Sequence, residues 1–150
     1  MAGYHDRPEQ SAEALAGGWL HTGDVAIRDE SGFMRIVDRK KDVIVTGGFN
    51  VYPREVEDVL GGHPDVASCA VIGVPDAYWG EAVTAIVVLR AGEKPSAESL
   101  RTLVREKKGA AQVPKSIEFV DTLPLTAAGK IDKKALRAAY LSRAVTSASQ

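Results

Sequence analysis

Val66-Ala-Ser-Cys-Ala-Val-Ile-Gly-Val-Pro-Asp76 and, after a short break, Ala82-Val-Thr-Ala-Ile-Val-Val-Leu89 decide how this chain folds. Both stretches are apolar and rich in β-branched residues, and neither alternates apolar with polar. Each therefore predicts a core strand, the first over 66–74 between Pro64 and Pro75, the second over 82–89. Downstream, Ser96 predicts a helix cap, with Leu100, Leu103 and Val104 as the inner stripe, Lys107 and Lys108 in the last turn, and Gly109 as the stop. A further strand is expected over 117–120. Asp132 predicts the cap of a final helix, with Ile131 and Leu136 as a hydrophobic staple and Leu136, Ala139 and Tyr140 facing the core.

Upstream, Pro53 suits a first helical position, and Val56, Val59 and Leu60 recur at helical spacing until Gly61-Gly62. Val43–Val45 is a short strand ending at Gly47-Gly48, with Phe49–Tyr52 returning as its partner. Two more strands, Val25–Arg28 and Phe33–Val37, flank a turn at Asp29-Glu-Ser-Gly32. Between these and Val43 lies a charged break, Asp38-Arg-Lys-Lys-Asp42, which is the expected domain boundary. Residues 1–20 read as irregular or weakly helical, and 146–150 as a disordered tail. The fold class is α+β: a small mixed sheet flanked by about three helices and preceded by a short β-hairpin.

Composition narrows the function. With 45% hydrophobic and 26% charged residues the chain is globular, and a formal net charge of -1 gives no field for nucleic acid or an anionic membrane. Cys69 is the only cysteine, which excludes a disulfide within the chain and fits a reducing compartment. The longest apolar run is far too short to span a bilayer, and the N-terminus lacks a signal pattern, so a cytoplasmic location without integral membrane contact is expected. His5, His21 and His63 lack metal-ligand spacing, and nothing supplies a nucleophile for a triad.

Several short stretches carry chemistry. In Pro124-Leu-Thr-Ala-Ala-Gly-Lys-Ile131, a tight exposed loop presents the Lys130 ammonium from a fixed base. In Gly18-Trp-Leu-His-Thr-Gly-Asp24, the aspartate sits on a loop with its carboxylate free. It suits a vicinal diol such as a ribose, or caps the loop backbone. Arg39 offers planar, multi-donor bonds to oxygen groups, or belongs to a solvated charge cluster. Gly47-Gly48 lets a thin ligand pass close to the main chain, or forms an ordinary hairpin turn. Trp79 either stacks on a flat ligand or packs. No phosphate-cradling glycine pattern occurs, so the chain lacks its own triphosphate cradle.

Together these segments resemble the C-terminal part of the AMP-forming acyl-CoA synthetases, over roughly residues 1–140. Four motifs in order carry the resemblance: Gly18 to Asp24; Asp38-Arg39 through Gly47-Gly48-Phe-Asn-Val-Tyr-Pro-Arg-Glu-Val-Glu57; His63 to Asp76 with Trp79-Gly-Glu; and the segment ending at Lys130. The Gly-Gly-Phe-Asn-Val-Tyr-Pro form is similar to the fatty or aryl acyl-CoA ligase branch. The resemblance implies a carboxylic acid substrate, ATP with Mg2+ held mainly by a large N-terminal domain, and coenzyme A. It implies that Lys130 bridges the substrate carboxylate and the α-phosphate, that Asp24 and Arg39 bind the ribose, and that Lys41 is a hinge. Gly47, Gly48 and Trp79 would lie along the pantetheine passage. One departure is that Ala111 and Gln112 stand where many relatives carry an aromatic-then-basic pair.

On this reading residues 1–40 are the end of the N-terminal domain with its hinge, 41–145 are a mobile lid, and Met1 is internal to a longer parent. The acid pocket lies elsewhere, and the chain is not catalytic alone. A stand-alone binding or docking module, or a truncated non-catalytic fragment with the lid fold, is the alternative expectation.

Overall fold

The computed structural model describes residues 1–92 and 95–147. The chain divides into two compact units, Met1–Lys41 and Asp42–Gln150. The first holds helix α1, Pro8–Ala14, and the antiparallel hairpin of β1, Asp24–Arg28, and β2, Met34–Arg39. Asp29 closes the hairpin turn: its backbone N–H donates to Phe33 O, its side chain accepts from Phe33 N, and Gly32 takes a left-handed φ of 89°. Only Val37 and Asp38 of this unit are buried, while Trp19, Phe33 and Met34 are largely exposed.

The second unit contains β3, Ile44–Thr46; β4, Phe49–Val51; α2, Pro53–Gly61; β5, Val66–Asp76; β6, Gly80–Leu89; α3, Ala97–Lys108; β7, Ser116–Phe119; and α4, Lys133–Ser147. The sheet order is β4-β3-β6-β5, with β7 also paired to β6. The β6–β7 pair is parallel and the others antiparallel, which makes the sheet mixed as expected. β5 runs two residues past its expected end, through Pro75. Its β6 edge is paired without a break from Ser68 to Asp76, and among the described residues no strand lies on its other edge, so a residue without an N–H is tolerated there.

The uninterrupted apolar runs of β5 and β6 follow from burial on both faces. Cys69 and Val71 of β5 and Val83, Ala85 and Val87 of β6 point to one side, where α2 and α3 supply Val56, Leu60, Leu100 and Val104. Ala70, Ile72 and Ile86 point to the other, against Leu136 of α4. Ser96 and Asp132 cap their helices as expected, accepting from Ser99 N at 3.0 Å and Ala135 N at 2.9 Å. Ile131 and Leu136 join one cluster, so the staple forms, and Tyr140 packs beside them. Ala139, expected in the core, is exposed, and Arg137 occupies the half-buried flank. Helix α4 runs through Ser147, two residues into the expected tail; positions 148–150 lie outside the described residues.

Glu57 ties the two layers together. One carboxylate oxygen accepts from Val71 N at 2.7 Å and meets Lys133 Nζ at 2.7 Å. Beside it Cys69 is buried with its Sγ against Glu57 O, and burial, reinforced by the Glu57 charge, pushes the thiol up to about 12. The folded thiol keeps its proton where an unfolded one loses it. Its contribution to stability is thus complete below the ordinary value of 9.0 and is lost as pH rises through and beyond it. Iodoacetamide at pH 8 should therefore label Cys69 about 100-fold more slowly in the folded chain than in urea. Equal rates would place the thiol outside the core.

Candidate functional site

In the first unit, the β1–β2 register sets Asp24 opposite Arg39. Asp24 opens β1 rather than preceding it, and its carboxylate is not free: Oδ1 lies 2.9 Å from Arg39 Nε. Arg39 also donates through Nη1 to Thr22 O at 3.3 Å, and Asp24 N donates to Thr22 Oγ1 at 3.2 Å. Thr22, Gly23, Arg39, Lys40 and Lys41 line an open cleft of about 520 Å3. The Arg39 side chain is 59% exposed and that of Asp24 19%, so the arginine is the more accessible partner of the pair. Lys41 is exposed in a 3-10 turn, Lys40–Asp42, and is the last residue of its unit. Asp42, the first residue of the second unit, is held by Arg137 Nη2 at 2.9 Å, a bond from α4.

In the second unit, Gly47 and Gly48 form the β3–β4 turn with φ of 55° and 82°. Two successive left-handed residues fit the tight hairpin turn that matches strand twist. The Trp79 ring lies directly on Gly47, where an added Cβ would fall 2.7 Å from ring carbon Cε3, whereas one on Gly48 would meet nothing within 4 Å. Gly47 N also donates to Trp79 O at 2.9 Å. On the ring itself Lys115 Nζ stands 4.0 Å from the centroid, a cation–π contact, and Tyr78 packs edge-on at 4.8 Å. Asp76 Oδ1 fixes this loop by accepting from Trp79 N and Tyr78 N, and those donors hold its carboxyl below the usual range. The loop's carboxylate clasp is thus complete above the ordinary value of 3.8 and is lost as pH falls through the lower folded value.

Lys130 stands exposed at the end of a closed hairpin. Thr126 N donates to Lys130 O at 2.7 Å, Thr126 Oγ1 accepts from Lys130 N at 3.2 Å, and Gly129 N donates to Thr126 O at 2.9 Å. Leu125 pairs with Ile131, Asp132 N donates to Pro124 O, and Gly129 adopts a φ of 74°. The base of the lysine is therefore rigid, while among the described residues its ammonium has no carboxylate partner. Its charge remains available to an incoming anion.

The sequence singles out Asp24, Arg39, Lys41, Gly47, Gly48, Trp79 and Lys130 as candidates; it does not single out Lys115, Asp76 or Thr126, which the structure sets against Trp79 and Lys130. Thr126, four residues before the lysine, had a local signal in its hydroxyl. Asp76 had one as well, since Asp before Ala-Tyr-Trp is a side-chain turn cap. Lys115 had none, because its partner Trp79 is brought to it only by the sheet. Gln112, at the departure noted above, donates to Glu55 Oε2 at 3.1 Å, and Lys108 meets the other oxygen. Ala111 is exposed and adds no ring. Among the described residues no three His, Cys, Asp or Glu side chains gather into a metal-ligand group, and no helix is long and apolar enough to cross a membrane.

The fold and these groups define a small α+β domain that presents a lysine, a glycine turn and a tryptophan from exposed loops. The family model for the AMP-binding enzyme C-terminal domain matches residues 55–130, and the chain belongs to that family. Over 145 residues it is 53% identical to the medium/long-chain-fatty-acid–CoA ligase FadD8 of Mycobacterium tuberculosis, covering 92% of this chain and 25% of that protein. Among solved structures, the amide bond synthetase McbA of Marinactinospora thermotolerans aligns with a TM-score of 0.83 at 50% identity, covering 92% of this chain and 28% of that one. The o-succinylbenzoate CoA synthetase MenE of Bacillus subtilis, in complex with its acyl-adenylate intermediate OSB-AMP, aligns with a TM-score of 0.85 at 36% identity, covering 91% and 28%. The chain thus spans about a quarter of the length of the curated relatives it matches.

The two glycines of the turn should respond differently to a methyl group. Gly48→Ala meets only the left-handed backbone cost of about 1–2 kcal/mol. Gly47→Ala adds a collision with Trp79 and should cost about 1–3 kcal/mol more. Urea unfolding of both variants measures this, and equal midpoints would contradict the close approach of the ring.

Proposed function

We propose that this chain is the mobile C-terminal lid of an AMP-forming acyl-CoA ligase of the fatty or aryl acid class. The complete enzyme would join a carboxylic acid, ATP and coenzyme A, giving acyl-CoA, AMP and pyrophosphate through an acyl-adenylate. The observation that carries this reading is the unpaired ammonium of Lys130 on a hairpin closed at both backbone positions by Thr126. Attack of a carboxylate on the α-phosphate brings two anions together, and a cation fixed in advance between them lowers that cost without reorganising. The Thr126 bonds supply this preorganisation.

In the first unit Arg39, with Asp24 beside it, offers a donor and an acceptor to the ribose hydroxyls, and the cleft next to the pair supports that placement. Lys41 serves as the pivot, at the division between the two units. In the second half-reaction the lid presents its other surface. The Gly47-Gly48 turn leaves open space beside Gly48 for the pantetheine arm, and the Trp79 ring with Lys115 above it combines a flat apolar face with a cation, which suits the coenzyme's nucleotide end. The residues here offer no metal-ligand group among those described, so Mg2+ is assigned with the triphosphate to the rest of the ligase.

The test joins this chain to the N-terminal three-quarters of a relative such as FadD8. The isolated chain should release no pyrophosphate from ATP in response to acid, and the joined protein should. Lys130→Ala in the joined protein should lower acid-dependent pyrophosphate release by about 100- to 1,000-fold. Turnover by the isolated chain, or full release by Lys130→Ala, would sink the reading.

A further inference from the structure

We propose that Glu81 is a positioning residue for the Gly47-Gly48 turn, with Gly73 as the seat that lets its carboxylate reach. Among the described residues the register of β3 with β6 holds one pair, Thr46 with Gly80. Beyond the strands, Gly47 N donates to Trp79 O. In an antiparallel ladder the next narrow pair, two residues away, would join Val45 to Glu81. No Val45↔Glu81 pair is part of the register, and Val45 N–H turns to an acceptor other than the Glu81 carbonyl. Glu81 supplies one from its side chain instead, with Oε2 accepting from Val45 N at 2.8 Å. A carboxylate is a stronger acceptor than the carbonyl it replaces.

The carboxylate can stand there because Gly73, across the β5–β6 ladder, has no side chain. A Cβ on Gly73 would lie 2.6 Å from Glu81 Oε1, 3.0 Å from its carboxyl carbon and 3.2 Å from Ile44 Cγ2. Gly73 has no unusual φ to justify a glycine, so the carboxylate and Ile44 are the structural reason for it. Residues 79–81 thereby grip three successive residues of β3 and its turn: Glu81 holds Val45, Gly80 pairs with Thr46, and Trp79 holds Gly47 from backbone and ring. The turn needs this grip, since β3 and β4 are three residues each and Val45 and Phe49 are exposed. The consequence for coenzyme A rests on the function proposed above; the consequence for the turn does not.

Amide exchange at Val45, followed by NMR in the 150-residue chain, reads the bond directly. Glu81→Ala should speed exchange at Val45 and Gly47 about tenfold while leaving Val71 and Ile86, in the core strands, unchanged. Glu81→Gln keeps an acceptor oxygen and should stay within about threefold of the parent. Gly73→Ala pushes the carboxylate away from the opposite side and should reproduce the Glu81→Ala pattern with Glu81 intact, and the double variant should add nothing further. Unchanged Val45 exchange in Glu81→Ala overturns the proposal. So does a loss of protection spread evenly over β5 and β6, which would make the role merely structural. In the joined ligase, Glu81→Ala should raise the KM for coenzyme A about tenfold, with acyl-adenylate formation unchanged and Glu81→Gln restoring the parent value. Equal loss in both half-reactions also overturns it. A parent ligase indifferent to coenzyme A would count against the ligase reading alone, and Val45 exchange would still decide for Glu81.

Discussion

Strand β6 is hydrogen-bonded along both edges, and the second unit is organised around that constraint. β5 takes one edge with ten paired positions, from Val66↔Leu89 to Asp76↔Gly80. β3 and β7 share the other edge, one at each part of the strand. A strand paired on both sides over much of its length leaves few backbone groups to water, and its side chains are free to be apolar on both faces. Val83, Ala85 and Val87 serve one layer of helices and Ile86 the other.

Within this unit Trp79, Gly47 and Lys115 are attached to this ladder at short range. Trp79 sits in the turn that opens β6. Gly47 is bonded to Trp79 O, and Lys115 N donates to Val83 O as the chain enters β7. Lys130 is further away, but α4 follows it immediately and packs Leu136 beside Ala70, Ile72 and Ile86. Glu57, reaching both Val71 N and Lys133 Nζ, ties the same helix to α2 and β5. A rigid core thus supports loops that are themselves short of burial. Their order comes from local devices: the Asp76 side-chain turn, the Thr126 hairpin and left-handed glycines.

Much of this was legible in the sequence because it is local. Apolar runs marked β5 and β6, Ser96 and Asp132 marked helix starts, and Gly47-Gly48 marked a turn. The candidate residues were also legible, since Lys130, Gly47 and Trp79 sit in short recognisable stretches. What the sequence hid were contacts between distant positions. Trp79 meets Lys115, Val45 meets Glu81, and Asp42 meets Arg137 only after the sheet and α4 are in place. The free carboxylate expected of Asp24 failed for the same reason, because the hairpin register brings Arg39 opposite it. Ala139 was placed inside by spacing alone. One helical face had room for Leu136 and Tyr140, and the half-buried position beside it went to Arg137, whose partner Asp42 rewards that location.

Under the proposed function, one lid serves two reactions from two different surfaces. The direct measurement is both half-reactions, acyl-adenylate formation and thioester formation from supplied acyl-adenylate, in a joined ligase carrying either Lys130→Ala or Gly47→Ala. The expected pattern is crossed: the lysine variant fails in the first and retains the second, and the glycine variant does the reverse. Loss of the same half-reaction in both variants, or equal loss of both, would contradict it.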